Sequence, residues 1–268
     1  MFNIIVLFVT VCVLCLFFLF KDRVVEKFHN GFGQGIRLDE IDIYLINLER
    51  NKDRLEAFIE QYVMSDLNSK KFNRLNAVDG KKLNIQEYVS PRAYIEIKET
   101  EKTGYRIKHY QLTRGAIGCY LSHMLAYEAI ANGENEYGLI FEDDVTIDSK
   151  FFQKFNKVLL TIPNDWDMLL CGCHCITCEK LDTYYDTNRF FLLHSYVVKK
   201  DAAKRTLAYL KSKLIEQQLD SELSDMVTEN LLNIYCLKDW LSKQSGSFST
   251  DIQMPLKVIT GINPYMAV

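Results

Sequence analysis

The sequence has no surplus of basic charge. Its 32 lysines and arginines are outnumbered by 35 aspartates and glutamates, giving a formal net charge of −3 and a pI near 6.0. A protein that neutralises many nucleic-acid phosphates needs the opposite balance, so nucleic acid is excluded as a partner on bulk electrostatics. A small anionic ligand needs only a local patch. No Asn-x-Ser/Thr acceptor for N-linked sugar occurs anywhere in the chain, which favours the cytosolic side of a membrane over the lumenal one. Internal repeats and low-complexity tracts are absent as well. With 48% hydrophobic residues among 268, the chain can build one sizeable globular domain with a small appendage, and disorder is not the default.

Charge is missing altogether from residues 1–20, MFNIIVLFVTVCVLCLFFLF. As a helix rising about 1.5 Å per residue this segment would reach roughly 30 Å, one hydrocarbon core, so it is expected to be a single-pass membrane anchor. A cleaved signal peptide would want a basic start, a shorter apolar region and a small-residue cleavage site, whereas KDRVVEKF follows. Lys21, Arg23 and Lys27 follow the span, which by the positive-inside rule places the rest of the chain in the cytosol. Residues 21–40, with mixed charges and Gly31, Gly33 and Gly35, read as a flexible stalk.

A second knuckle is what the cysteines lack. "CGCHCITC" holds Cys171, Cys173, Cys175 and Cys178 beside His174, but it contains only one C-x-x-C, which counts against zinc. Cys171 reads as strand core. The others are expected to be free thiols, or a disulfide if the domain is lumenal.

The domain occupies residues 41–252, followed by a tail at 253–268. "IDIYLINL" is a β-branched strand, and Leu55, Phe58, Ile59, Tyr62 and Val63 follow at helical spacing. A short strand near "KFNRLNA" ends at the turn Val78-Asp79-Gly80, and a polar, irregular stretch runs to about residue 112. Thr113 is a natural N-cap for a helix that buries Ile117, Tyr120, Leu121, Met124 and Leu125 and carries Cys119, Ser122, His123 and Ala126 on another face. "YGLIF", a helix with Phe152, Phe155 and Leu159, and "WDMLLCG" come next. "RFFLLHSYVV", a helix over 201–210, a helix around 213–232 and the strand "NIYCL" complete the domain. This alternation predicts an α/β fold with a mostly parallel sheet, whose ligands bind beyond the carboxyl ends of the strands.

At one such end "LIFEDDV" drives a buried strand into Glu142, Asp143 and Asp144. In extended backbone, side chains two apart share a face, so Glu142 and Asp144 would point together and Asp143 away. Converging carboxylates suit a hard divalent cation such as Mn²⁺ or Mg²⁺, which would also relieve their repulsion. The plainer alternative is that the acids precede a helix and interact with its dipole.

The neighbouring motifs resemble glycosyltransferase family 25, which includes bacterial lipopolysaccharide sugar transferases and collagen hydroxylysine galactosyltransferases. "INLERNKDR" (46–54), "RLNAVDG" (74–80), "LTRGAIGCYLSHMLAYEAI" (112–130) and "LIFEDDV" stand in family order, followed by "WDMLL", "SYVVKKDAAKRTL", Asp220, Gln244 and "STDI". The resemblance implies a GT-A type, Rossmann-like single domain that binds a nucleotide sugar and a divalent cation through an acidic motif. It implies Glu142 and Asp144 as metal ligands, and inversion by direct displacement with Asp220 as the base; Glu222 and Asp225 are rivals for that role. Asn47, Arg50, Arg54, Asp79, His123 and Asp143 are the candidate nucleotide-site residues. An Arg fork can pair with phosphate oxygens, although Arg50 and Arg54 could equally form an exposed ladder with Glu49 and Asp53. His123 could equally be a buried histidine bonded to a backbone carbonyl. Where the family usually carries Glu, this chain has Ala116, and Tyr127 stands where Trp is frequent, which bears on acceptor specificity.

The function so implied is transfer of a hexose, galactose above all, from a UDP-sugar to a glycan or hydroxylysine hydroxyl. A collagen-type role would place the domain in the lumen and a lipopolysaccharide-type role in the cytosol. The alternatives are a nucleotidyltransferase, which would want a Gly-rich phosphate loop that "INLERNKDR" lacks, and a catalytically degenerate glycan-binding module.

Overall fold

The computed structural model describes residues 34–106, 111–246, 248 and 250–252. The apolar span at 1–20, most of the stalk and the tail at 253–268 lie outside the described residues. Among the described residues no helix is long and apolar enough to cross a membrane.

In chain order the elements are β1 (Ile41–Asn47), α1 (Lys52–Met64), β2 (Phe72–Asn76), α2 (Pro91–Thr103), α3 (Arg114–Asn132), β3 (Tyr137–Glu142), β4 (Val145–Ile147), α4 (Phe151–Leu159) and β5 (Met168–Leu170). They continue with β6 (His174–Lys180), β7 (Tyr184–Phe191), β8 (Ser195–Lys199), α5 (Lys200–Lys211), α6 (Leu219–Thr228), β9 (Ile234–Leu237) and β10 (Ser242–Gln244). Eight strands form one sheet in the order β2-β1-β3-β8-β5-β9-β7-β6, and β4 pairs with β10 beside it.

The sheet is mixed, which corrects the expectation of a mostly parallel one. Pairings β1–β2, β1–β3 and β5–β9 are parallel, whereas β3–β8, β5–β8, β6–β7 and β7–β9 are antiparallel. Strand direction depends on the connection, which periodicity does not report: residues 181–183 are too short for a crossover, so β6 and β7 return as a hairpin. "RFFLLHSYVV" is likewise two strands, parted at Leu192, whose φ is 78°.

Both faces of the sheet are buried. Ile43, Leu45, Leu139, Phe141 and Val197 pack with Phe58 of α1 and Phe155 of α4. Tyr44, Ile46, Ile140, Tyr196 and Val198 pack on the other face with Ile97 of α2, Ile117 and Tyr127 of α3, Ala202 of α5 and Leu223 of α6. Alternate residues of each strand thus enter opposite cores, as the strand period demands. The result is a mixed α/β, Rossmann-like domain.

Three local expectations are corrected. The stretch before residue 112 contains α2, started by Ser90, whose side chain accepts from Ala93 N at 3.2 Å, with Pro91 in the first turn. The stalk does not extend to residue 40: Ile36 is buried, and its backbone N–H and C=O are clamped by Asn156 at 2.7 and 2.9 Å. Helix α3 buries the face carrying Ser122, His123 and Ala126, while Leu125 is 41% exposed. It does so because its first turns lie against the Val78–Gly80 turn, where a Cβ on Gly118 would come within 2.4 Å of Val78 O. The cysteines resolve into the pairs Cys173–Cys236 and Cys175–Cys178, with Cys171 buried and free.

Candidate active site

The carboxyl ends of β1 and β3, the turn at Val78–Gly80, the start of α3, Gln244 and residues 250–252 enclose two adjoining cavities. Arg50, Asp79 and Asp251 line the first, together with all three acids of the triplet. The second contains His194, Asp220 and Gln244. Cys119, Glu142, Thr250 and Ile252 line both.

Strand β3 ends at Glu142, and Asp143 and Asp144 form a turn. The two-residue alternation therefore stops before it reaches Asp144, and the three carboxyl groups go to three different elements. Asp143 turns under β1 and α1, accepting from Asn47 Nδ2 at 2.6 Å and from Arg54 at 3.0 Å. Burial raises its pKa, against the bonds from Asn47 and Arg54. Glu142 turns to α3, with its Oε1 3.1 Å from His123 Nε2 and 3.6 Å from Cys119 Sγ. Burial pushes its pKa up, but the His123 bond and the charge of that ring outweigh the burial and leave it below the ordinary value.

Among the described residues Asp144 receives one side-chain hydrogen bond, from Gln244 Nε2 at 3.1 Å, lies 3.9 Å from the Arg54 guanidinium, and keeps a buried Oδ1 without a hydrogen-bond partner. Burial, and then the charge of Glu142, push its carboxyl group up to about 7. An orphaned carboxylate oxygen under anionic stress fits a divalent cation, which would satisfy both deficits.

The opening motif does not form the exposed ladder with Glu49 and Asp53. Arg54 is buried against Asp143 and reaches Asp251 at 3.4 Å. Arg50, in the turn before α1, pairs with Asp79 and with Asp251 Oδ1 at 2.9 Å. Asn51 adds a bond to Asp251 Oδ2 at 2.7 Å. Burial works to raise the Asp251 pKa, but these donors outweigh it and hold it below its ordinary value. Asn47 is 1% exposed and bonded to Asp143, Asn51 O and Arg74, so it positions the site from beneath.

His123 is fully buried, and its partners are side chains instead of a backbone carbonyl: Nδ1 meets Tyr196 Oη at 2.8 Å, and Tyr196 meets Tyr127 Oη at 2.9 Å. Asp220, in the first turn of α6, accepts from Ser221 N at 2.8 Å and Leu192 N at 3.4 Å. Burial raises its pKa to about 6 in spite of those bonds. The rival acids sit elsewhere. Glu222 is buried against Lys213 and Gln217, and Asp225 meets Gln217 and Arg189.

The family model "Glycosyltransferase family 25 (LPS biosynthesis protein)" matches residues 40–185, more than half of the chain. The chain belongs to glycosyltransferase family 25. This family 25 glycosyltransferase is 32% identical to mouse "Procollagen galactosyltransferase 2" over 152 residues, 56% of this chain and 22% of that protein. It is 27% identical to an Anopheles gambiae "Glycosyltransferase 25 family member" over 190 residues, 68% of this chain and 29% of the relative. Human "Inactive glycosyltransferase 25 family member 3" is 26% identical over 144 residues, 52% of this chain and 23% of that one. The chain thus spans less than a third of the length of these curated relatives. In this family 25 chain, Asp251, Gln244 and His194 enter the site without having carried a role in the sequence reading. Gln244 and Asp251 were signalled there only by the order of the late motifs, and His194 by nothing.

Proposed function

We propose that the chain is a cation-dependent, inverting galactosyltransferase of GT-A type, which moves galactose from UDP-galactose to a hydroxyl of a glycan or of hydroxylysine. The observation that carries this reading is the pair of adjoining cavities sharing Glu142, with the unpartnered oxygen of Asp144 in one and Asp220 in the other. In the first cavity Arg50 and Asp79 face the nucleotide of the donor. Mn²⁺ or Mg²⁺ held by Asp144 and Glu142 would supply positive charge where the diphosphate gains negative charge as the sugar bond breaks. Asp220, raised to about 6, is ionised at neutral pH yet basic enough to accept the proton of the attacking hydroxyl. Direct displacement by that hydroxyl inverts the anomeric carbon.

The relatives named procollagen galactosyltransferase support galactose and a collagen acceptor. The two cysteine pairs favour an oxidising compartment, in the direction of the lumen. The apolar segment at 1–20 would tether the domain there, although the basic residues after it argue for the cytosolic side.

The test is a panel of UDP-sugars incubated with purified protein with and without manganese. Cation-dependent release of UDP from UDP-galactose, lost in Asp144→Ala, is the expected result; unchanged turnover in that variant removes the metal site. A second reading, a glycan-binding module without chemistry, is favoured by Ala116 in the wall of the second cavity and by the inactive human relative. Glycan binding without any UDP release identifies it.

A further inference from the structure

Cys119 and His123 stand four residues apart on α3, so they share one helix face, and that face meets the end of β3 at Glu142. Among the described residues, these three are the set of Cys, His, Asp and Glu side chains whose potential ligand atoms all lie within 4.8 Å of one another. The spacing has the dimensions of a coordination shell. A tetrahedral ion with bonds of about 2.0 Å to nitrogen and oxygen and about 2.3 Å to sulfur separates its N and O ligands by about 3.3 Å and its S and O ligands by about 3.5 Å. The observed separations are 3.1 Å from His123 Nε2 to Glu142 Oε1 and 3.6 Å from Cys119 Sγ to the same oxygen.

The shell is also oriented from behind. Tyr196 Oη, itself bonded to Tyr127, engages His123 Nδ1 and directs Nε2 at Glu142, as an outer partner does for a metal-bound imidazole. Cys119 opens onto both cavities, which gives an ion a way in and leaves its fourth position toward the space between them.

We propose that Cys119, His123 and Glu142 form a thiolate–imidazole–carboxylate cation site, distinct in character from the hard oxygen position at Asp144 and sharing Glu142 with it. Sulfur and imidazole ligands select a borderline ion, Zn²⁺ or Co²⁺ ahead of Mg²⁺ or Mn²⁺. The inference rests on the proposed function only for its bearing on donor binding; the site itself stands on geometry.

Cobalt titration of the purified full-length chain, stripped of metal, tests it. A near-ultraviolet thiolate-to-cobalt charge-transfer band that saturates at one equivalent is expected, abolished in Cys119→Ser and retained in Asp144→Asn. Cys12, Cys15 and Cys171 remain in all these proteins, so the difference reports Cys119 alone. Tyr196→Phe should weaken cobalt binding by about tenfold, the usual effect of losing an outer partner. Absence of the band, or a band unchanged in Cys119→Ser, overturns the site. Manganese-dependent UDP release assayed on the same preparations separates the two ideas. Release without the band sinks only this site, and the band without release sinks only the transferase reading.

Discussion

Asp143 and Asp144 are neighbours in the chain and opposites in surroundings. On the β1–α1 side, Asp143 is buried with Arg54 and Asn47 supplied as built-in partners. On the other side Asp144 is buried with an unpartnered oxygen and Glu142 near enough for its charge to raise the pKa. Acids that bring their own cation hold the fold together. Asp144 has the same Arg54 only at 3.9 Å, and we propose that an acid so weakly compensated takes up a cation. The same contrast separates Glu222, paired with Lys213, from Asp220, which among the described residues has only backbone donors.

The largest effect expected from breaking this contrast is at Asp220. Asp220→Asn should lower kcat/KM by about 10²–10⁴-fold, the usual worth of a general base. In the parent, kcat/KM should fall about tenfold per pH unit below pH about 6, as the carboxylate takes up its proton, and the variant should lack that limb. A pH–rate profile of both proteins checks it, and an unshifted acid limb in the variant assigns the base elsewhere.

Arg54→Met attacks the self-sufficient side and should cost about 3–5 kcal/mol of stability in urea unfolding, because Asp143 is left buried without its cation. Asp144→Asn should do the reverse. Its folded-state pKa of about 7 lies above the ordinary aspartate value of 3.8, so the folded state holds the extra proton between those pH values and stability falls as pH rises through that window. The variant should therefore be at least as stable as the parent at pH 8, with a flatter stability–pH curve across that window. A loss of stability would mean that the 3.9 Å pairing with Arg54 outweighs the cost of burying the charge.

The smallest effect is at Asp251, whose carboxylate occupies Arg50, Asn51 and Arg54 at the mouth of the first cavity. Asp251→Asn removes that competing charge, and UDP affinity measured by calorimetry should rise by a few-fold, about 1 kcal/mol or less for a partly exposed contact. Weaker binding would make Asp251 a contact of the nucleotide instead of its competitor.

Much of this architecture is legible in residues: the β-branched runs of β1 and β3, the Thr113 cap of α3 and the acids at a strand end all stand where the sequence places them. Helix α2 is hidden because its apolar residues are sparse, and only Ser90-Pro91 marks its start. The divergence of the triplet is hidden because a turn, not a strand, carries Asp143 and Asp144. The bond from Asn51 to Asp251 joins positions 200 residues apart, and no local pattern encodes such a contact. The direction of β7 is set by the short loop from β6, so the mixed sheet is likewise invisible to periodicity.

We propose that the acidic end of β3 grips a divalent cation that in turn holds a diphosphate. Calorimetric titration of Mn²⁺ into the parent and into Asp144→Asn, each with and without UDP, measures it directly. Saturable manganese binding that UDP strengthens in the parent, and that Asp144→Asn loses in both conditions, is the expected result. Equal manganese affinity in the two proteins, or no coupling between manganese and UDP in the parent, would contradict it.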